Sequence, residues 1–294
     1  MTRSRVMVTG AAGQLGALIV RAFAQHDVAA FTSATLDITD AAAVDRTVRS
    51  VNPEVIVNCA AFNDVDGAEA RPADAFAVNA FAVRSLARAA ESIGARLVHY
   101  STDFVFDGTA TEPYSETSAP TPRSVYAASK LVGEWFALEA PGGLVLRVES
   151  LFGSPRDWPG RRGTMDAIAA GLEQGRAVRV FTDRTVSPGY TPDIAAATRH
   201  LVESAAPGGI YHCVNTGMAT WEDVARELAR VMQIEPSLTP IRTDQVQMAA
   251  SRPRFCALAN AKLAAAGFPM PTWQDAIARW VAVRGIAAPT NQIN

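Results

Sequence analysis

The sequence predicts a doubly wound α/β fold: a parallel Rossmann sheet with helices on both faces, joined to a smaller C-terminal substrate-binding domain. Three observations predict it. Short apolar runs alternate with longer helical patterns through the first half of the chain. Those runs are apolar at successive positions, as strands covered on both faces must be. The glycine-rich stretch Thr9-Gly10-Ala11-Ala12-Gly13-Gln14-Leu15-Gly16 stands between the first strand and the first helix, the place where a βαβ unit needs a tight turn.

Taken in order, residues 5–9 read as a buried strand and 14–25 as a helix. Residues 28–32 form the second strand, and 40–50 a helix with Asp40 as its N-cap. Residues 54–58, entered through Pro53, are the third strand, 73–93 a long helix, and 96–100 the fourth strand. A helix over 124–139 and a strand over 144–148 complete the alternation. The rhythm then breaks. Residues 151–163 carry Gly, Pro and Arg and read as a loop, followed by a helix over 164–174, a strand over 178–181, and a helix over 191–203. A strand over 210–213 and an amphipathic helix over 220–232, capped by Thr220, come next. Five prolines from Pro236 to Pro271 keep the remainder irregular. The expected division is a dinucleotide-binding domain over 1–150, to which 184–205 returns, and a substrate domain over 151–183 and 206–294.

Composition excludes several classes. The chain has 294 residues, 49% apolar and 19% charged, enough for a buried core and unlike a disordered chain. Its 27 basic and 29 acidic residues give a net charge of −2, which argues against a nucleic-acid partner. No run of 18 apolar residues occurs, so no membrane span is expected. The N-terminus mimics a signal peptide, but three glycines and a glutamine interrupt its apolar stretch. Cys59, Cys213 and Cys256 are odd in number and far apart, which fits neither a disulfide framework nor a CxxC site and suits a reducing cytoplasm. The acidic residues have no metal-ligand spacing, and no metal is expected. His26, His99, His200 and His212 are scattered and read as structural, and Trp221, Trp273 and Trp280 as core residues. Arg161 and Arg162 read as solvated loop charges.

In the glycine stretch, Gly10 permits the turn, Gly13 lets backbone approach a pyrophosphate, and Gly16 lets the helix pack on the sheet. The second strand ends in Thr32-Ser33 rather than in the carboxylate that would grip a ribose 2′-hydroxyl, so nothing there repels a 2′-phosphate. Asp37 follows at about the right distance, with a turn or helix-start residue as its plainer reading. A second constellation is Ser101-Thr102-Asp103 after the fourth strand with Tyr126-Ala-Ala-Ser-Lys130 on the next helix. Tyr126 and Lys130 are four apart and share a helix face. An ammonium beside a phenol lowers its pKa, which suits proton transfer near neutral pH, and Thr102 could hydrogen-bond the same carbonyl oxygen. Of the 27 basic residues 25 are arginine, yet a lysine stands here, and a compact ammonium is not replaceable by guanidinium at such a site.

TGAAGQLG, STDFVFDG and YAASK together resemble the extended short-chain dehydrogenase/reductases. Within them the chain is most similar to the dTDP-4-dehydrorhamnose reductase group, through LDITD, NCAAFNDVDGAE, YAASKLVGE, DRTVSPGYTPDIA and SRPRFCALANAKL. The resemblance runs almost end to end. It implies an NADPH-dependent (NADH admitted) reductase of the 4-keto group of a nucleotide-linked 6-deoxyhexose. It also implies that Tyr126 is the proton donor, Lys130 its partner and Thr102 the third catalytic residue. Gly13, Gln14 and Leu15 would lie on the pyrophosphate with Gly10 and Gly16 shaping the turn. Asp37 and Ile38 would line the adenine pocket, with Ala61, Phe62, Asn63 and Tyr100 beside the cofactor. Thr102 and Asp103 would touch the sugar. Arg252 is a candidate for the diphosphate. A homodimer is compatible with the resemblance.

Three departures fall on the substrate side. The group reads RTSW where this chain has Arg147-Val148-Glu149-Ser150, so a sugar-facing tryptophan is replaced by Ser150, and Trp158 is a nearby candidate to fill its space. RPxNS becomes Arg252-Pro253-Arg254-Phe255-Cys256, and Asn63-Asp64 replaces a more usual Thr-Ala. A redox-silent NADP-binding regulatory protein and a nucleotide-sugar epimerase of the same superfamily stay open as alternatives. Dehydration is disfavoured because Phe104, not glutamate, follows Asp103.

Overall fold

β1 (Arg5–Thr9) turns through Gly10 into α1 (Gln14–Ala22), and β2 (Asp27–Phe31), α2 (Ala41–Val51) and β3 (Val55–Asn58) follow. This computed structural model describes residues 3–154 and 163–285; Trp158, Arg161 and Arg162 lie outside the described residues. Two short helices, α3 (Val65–Ala70) and α4 (Pro72–Phe76), lead through a π-helical turn (Ala77–Phe81) into α5 (Ala82–Ile93). β4 (Arg96–Thr102), α6 (Val125–Glu139) and β5 (Leu144–Val148) complete the regular half. Then come β6 (Leu151–Phe152), α7 (Thr164–Glu173), β7 (Val178–Phe181), β8 (Thr185–Val186), β9 (Gly189–Tyr190) and α8 (Thr191–Glu203). β10 (Gly209–His212), β11 (Ala219–Thr220), α9 (Trp221–Met232), β12 (Leu238–Ile241), α10 (Ala261–Ala265) and α11 (Trp273–Val283) end the described chain.

Local chemistry starts the helices where the sequence said. The Asp40 carboxylate accepts from the N–H groups of Ala42 and Ala43 at 3.0 and 2.9 Å, Ser124 caps α6, and Thr220 exchanges hydrogen bonds with Asp223. Each such cap stabilises its helix by about 1 kcal/mol. α1 is shorter than expected because Ala24 and His26 close a tight turn that delivers Asp27 to the sheet beside Ser4. The long helix expected over 73–93 is interrupted by the π turn, which points the buried Asn79 inward to three partners.

Among the described residues the main sheet has six parallel strands in the order β10-β5-β4-β3-β1-β2. Strand residues alternate between its two covered faces. Val6 and Val8 pack with Ile19 of α1, Phe23 just after it, and Ile194 and Leu201 of α8. Met7 packs on the other side with Val44 of α2 and Leu86 of α5. A third cluster unites Phe152, Leu172, Leu228, Trp221, Trp273 and Trp280, so the three tryptophans are core residues. β10, within the stretch expected to belong to the substrate part, hydrogen-bonds β5 and forms an edge strand of the main sheet. From β1 the chain runs outward to β2, then crosses back to β3 on the opposite side. Helices therefore diverge to opposite faces there, leaving a crevice at the carboxyl ends of β1 and β3.

Candidate active site

Two contiguous clefts, each of about 370 Å³, occupy that crevice. Gly10 has φ +66°, and a Cβ there would lie 2.5 Å from the Ala60 backbone nitrogen. A Cβ on Gly16 would collide with the Gly10 carbonyl oxygen. Both positions therefore require glycine. Gly13 is the N-cap of α1 and brings no side chain to the first-turn N–H groups, which are left to face the cleft with Gln14 and Leu15. The Gln14 Nε2 is buried without a partner. This end is a cradle for an anion such as a diphosphate. The second cleft is lined by Thr32, Ser33, Asp37, Ile38, Ala61, Phe62 and Asn63. Asp37 accepts from both the N–H and the hydroxyl of Thr39 at 2.9 and 2.7 Å, which holds its carboxyl below the usual range. Its plainer role as a turn residue is thus filled, and it lines the pocket as well.

Thr102, Tyr126 and Lys130 come together in the first cleft, with Tyr100 beneath them. α6 presents Tyr126, Lys130 and Glu134 at intervals of four, all buried toward the sheet. The Lys130 Nζ donates to the Tyr100 backbone carbonyl at 2.5 Å. The Tyr100 phenol is fixed from behind by Thr198 at 2.6 Å. Burial pushes the Lys130 ammonium down to about 8, opposed by Glu134 and Cys59. The expected lowering of the Tyr126 phenol does not occur. Burial raises it, only partly opposed by a hydrogen bond with Thr102, because the lysine charge is directed at a carbonyl. Burial thus favours the neutral phenol, the form that gives a proton to a carbonyl.

On the substrate side, Thr102 donates to Asp103 Oδ1 at 3.0 Å. Asp103, Glu149, Ser150 and Arg184 line the same cleft. Ser150 has φ +43°, a left-handed conformation uncommon for a residue with a side chain. Arg252 also lines the cleft, but the fork expected on a diphosphate is engaged by Asp66, at 2.9 and 2.7 Å. That pairing holds the Asp66 carboxyl down at about 2 and ties the segment around Arg252 to α3. Asp103, Glu149 and Cys256 also form a buried group whose donor atoms lie within 4.8 Å of one another. No sequence spacing announces it, since the three come from separate segments. All four histidines make structural contacts: His26 with Glu203, His99 with Asn58, His200 with the Ala266 carbonyl and His212 with the Ala259 carbonyl.

The sequence reading missed Asn79, Arg184 and the role of Glu149. Asn79 accepts from the Phe62 N–H at 2.8 Å and donates to the Phe62 carbonyl and to Ser129. It thereby fixes the loop after β3 that walls both clefts. An apolar-periodic helix containing one asparagine was the available signal. Replacing Asn79 by Ala removes that double clamp, and we expect kcat/KM for the cofactor to fall about tenfold, checked by steady-state kinetics with cofactor varied.

A doubly wound sheet whose crevice combines a glycine cradle with a buried Thr-Tyr-Lys group defines a nucleotide-dependent oxidoreductase of the short-chain dehydrogenase/reductase class. Residues 4–284 match the RmlD substrate binding domain family, and the chain belongs to it. It is 38% identical to the dTDP-4-dehydrorhamnose reductase of Mycobacterium tuberculosis, over 98% of this chain and 94% of that one. It is 36% identical to the dTDP-4-keto-6-deoxy-D-glucose reductase of Streptomyces niveus, over 93% and 95% respectively. The crystal structure of dTDP-4-dehydrorhamnose reductase from Bacillus anthracis in complex with NADP superposes with a TM-score of 0.89 at 30% identity, covering 96% of this chain and 99% of that one.

Proposed function

We propose that the protein is an NADPH-dependent reductase of the 4-keto group of a dTDP-linked 6-deoxyhexose. One observation carries the reading: a buried Tyr126 shares a cleft with Lys130 and the open N-terminus of α1. The test is NADPH oxidation, followed by absorbance, with a dTDP-4-keto-6-deoxyhexose; no turnover with any such sugar would sink it.

The cofactor, when bound, supplies the hydride. The N–H groups at the start of α1, with Gln14, would hold its diphosphate, and Asp37 and Ile38 would wall the adenine end. Lys130 would hold the nicotinamide ribose, with Asn63 beside the cofactor. The Tyr126 hydroxyl gives its proton to the sugar carbonyl oxygen as carbon 4 becomes tetrahedral. The Thr102 hydroxyl turns from Asp103 to donate to the same oxygen. Residues 1–150 and 184–205, with β10, form the cofactor-holding part, and the remainder adds Thr164, Trp221 and Arg252 to the cleft.

None of the described residues lining the adenine-side cleft is basic or, apart from Asp37, acidic. A 2′-phosphate is therefore admitted but not gripped. We expect kcat/KM for NADPH to exceed that for NADH by about tenfold or less; a strong NADH preference would contradict this. Gly10→Ala puts a side chain against the Ala60 backbone, and we expect NADPH affinity to drop at least about tenfold by fluorescence titration. No helix of the described residues is long and apolar enough to cross a membrane. Three free cysteines support a cytoplasmic setting. Phe81 and Trp135, 55% and 58% exposed on the adjoining π turn and α6, support a homodimer through this face; a monomer by light scattering at micromolar concentration would refute it.

A further inference from the structure

The sugar end of the cleft carries two carboxyl groups that no protein group fully satisfies. Asp103 and Glu149 are 3% and 2% exposed. Asp103 Oδ1 accepts from Thr102 and Glu149 Oε2 accepts from the Ser187 N–H at 2.7 Å. Glu149 Oε1 is buried with no partner, and Asp103 Oδ2 is buried with none beyond the Cys256 thiol beside this carboxyl. Cys256 Sγ completes the group within 4.8 Å, and Asp103, Glu149 and the neighbouring Ser150 all face the cleft. The guanidinium whose field reaches both carboxyls is that of Arg184, which also lines the cleft. One guanidinium against two carboxyls leaves one negative charge without a counter-charge. Burial favours the protonated form of both carboxyls. Burial pushes Asp103 up to about 6, and burial followed by the charge of Asp103 pushes Glu149 well above its ordinary range.

We propose that this pair is a subsite for a singly charged ammonium group, so that the sugar the enzyme takes is an aminodeoxyhexose bearing its amino group next to the reacting carbonyl. The proposal rests on the nucleotide-sugar reading above. An ammonium offers three N–H donors to these two carboxyl oxygens and supplies the missing positive charge. A sugar hydroxyl can donate one hydrogen bond but cannot offset the charge. Thr102 links the subsite to the reaction, since its hydroxyl now rests on Asp103 and is released toward the carbonyl when Asp103 has another partner.

The test uses the full-length protein with NADP bound. Two dTDP-linked 6-deoxyhexoses that differ only in a hydroxyl or an amino group at carbon 3 are titrated by calorimetry near neutral pH. The amino sugar is expected to bind at least about tenfold tighter, the worth of one charge-assisted hydrogen bond. In Glu149→Gln, which keeps the side-chain shape, that ratio falls to about one, while retained NADPH binding reports that the variant is folded. Equal affinities in the wild type overturn the subsite and leave the reductase reading standing, as does a preference that survives in Glu149→Gln. If neither sugar binds while NADPH does, the nucleotide-sugar reading falls and the subsite with it. Stoichiometric zinc in the purified protein, lost in Cys256→Ser, overturns the ammonium in favour of a metal ion.

Discussion

Tyr126→Phe is expected to lower kcat at least about a hundredfold while the dissociation constant for NADPH stays within about twofold of wild type. The ring is buried and stands edge-on to Phe104 at 6.0 Å, so removing the hydroxyl changes no packing. What is lost is the one neutral acid at the carbonyl. Lys130 does not replace it, because its ammonium already donates to the Tyr100 carbonyl. Cofactor affinity is unaffected because it depends on the glycine turn and the start of α1. Stopped-flow measurement of hydride transfer with a 4-keto sugar, beside fluorescence titration with NADPH, separates the two effects. Near-normal turnover would remove Tyr126 from the mechanism.

Arg147→Met is expected to cost about 3–5 kcal/mol and to lower Tm by roughly 10 °C. Arg147 Nε and Nη2 donate to the two carboxylate oxygens of Glu134 at 2.8 and 2.7 Å, and the two side chains are 2% and 1% exposed. The guanidinium also lies 5.0 Å over the Phe106 ring. Methionine fills much of the volume but leaves the Glu134 carboxylate buried and unpaired, and that uncompensated charge is the main cost. The double variant Arg147→Met, Glu134→Leu should regain most of the loss, since a buried ion pair adds little over an apolar pair of similar size. Thermal melts of the two variants decide the matter; a double variant no more stable than the single one would show that charge is not the cause. Because Glu134 shares its face of α6 with Tyr126 and Lys130, the pair also sets how that face meets the sheet.

The element pattern was legible because it is local. Apolar runs such as Val6-Met7-Val8 must be covered on both sides, and each cap at Asp40, Ser124 and Thr220 is a side chain bonding to backbone two or three residues on. The cofactor half of the site was legible for the same reason: Gly10, Gly13 and Gly16 act on their own turn, and Tyr126 and Lys130 are joined by helix geometry alone. The π turn was hidden because its cause, the inward pull on Asn79 by Phe62 and Ser129, lies across the fold. The pairing of Arg252 with Asp66 was hidden for a similar reason, since nothing near Arg252 in sequence announces it.

What the sequence alone determined, then, is the doubly wound sheet, the glycine cradle and the Thr-Tyr-Lys group, each specified by residues within one turn or one strand-helix unit. The tertiary structure decided the charge state and surroundings of those groups. Only the packed chain turns Lys130 onto the Tyr100 carbonyl, raises the Tyr126 phenol by burying it, and brings Asp103, Glu149, Arg184 and Cys256 from four separate segments to one end of the cleft. Ionisation and charge balance depend on distance and burial in three dimensions, and neither is encoded in the spacing of residues along a chain.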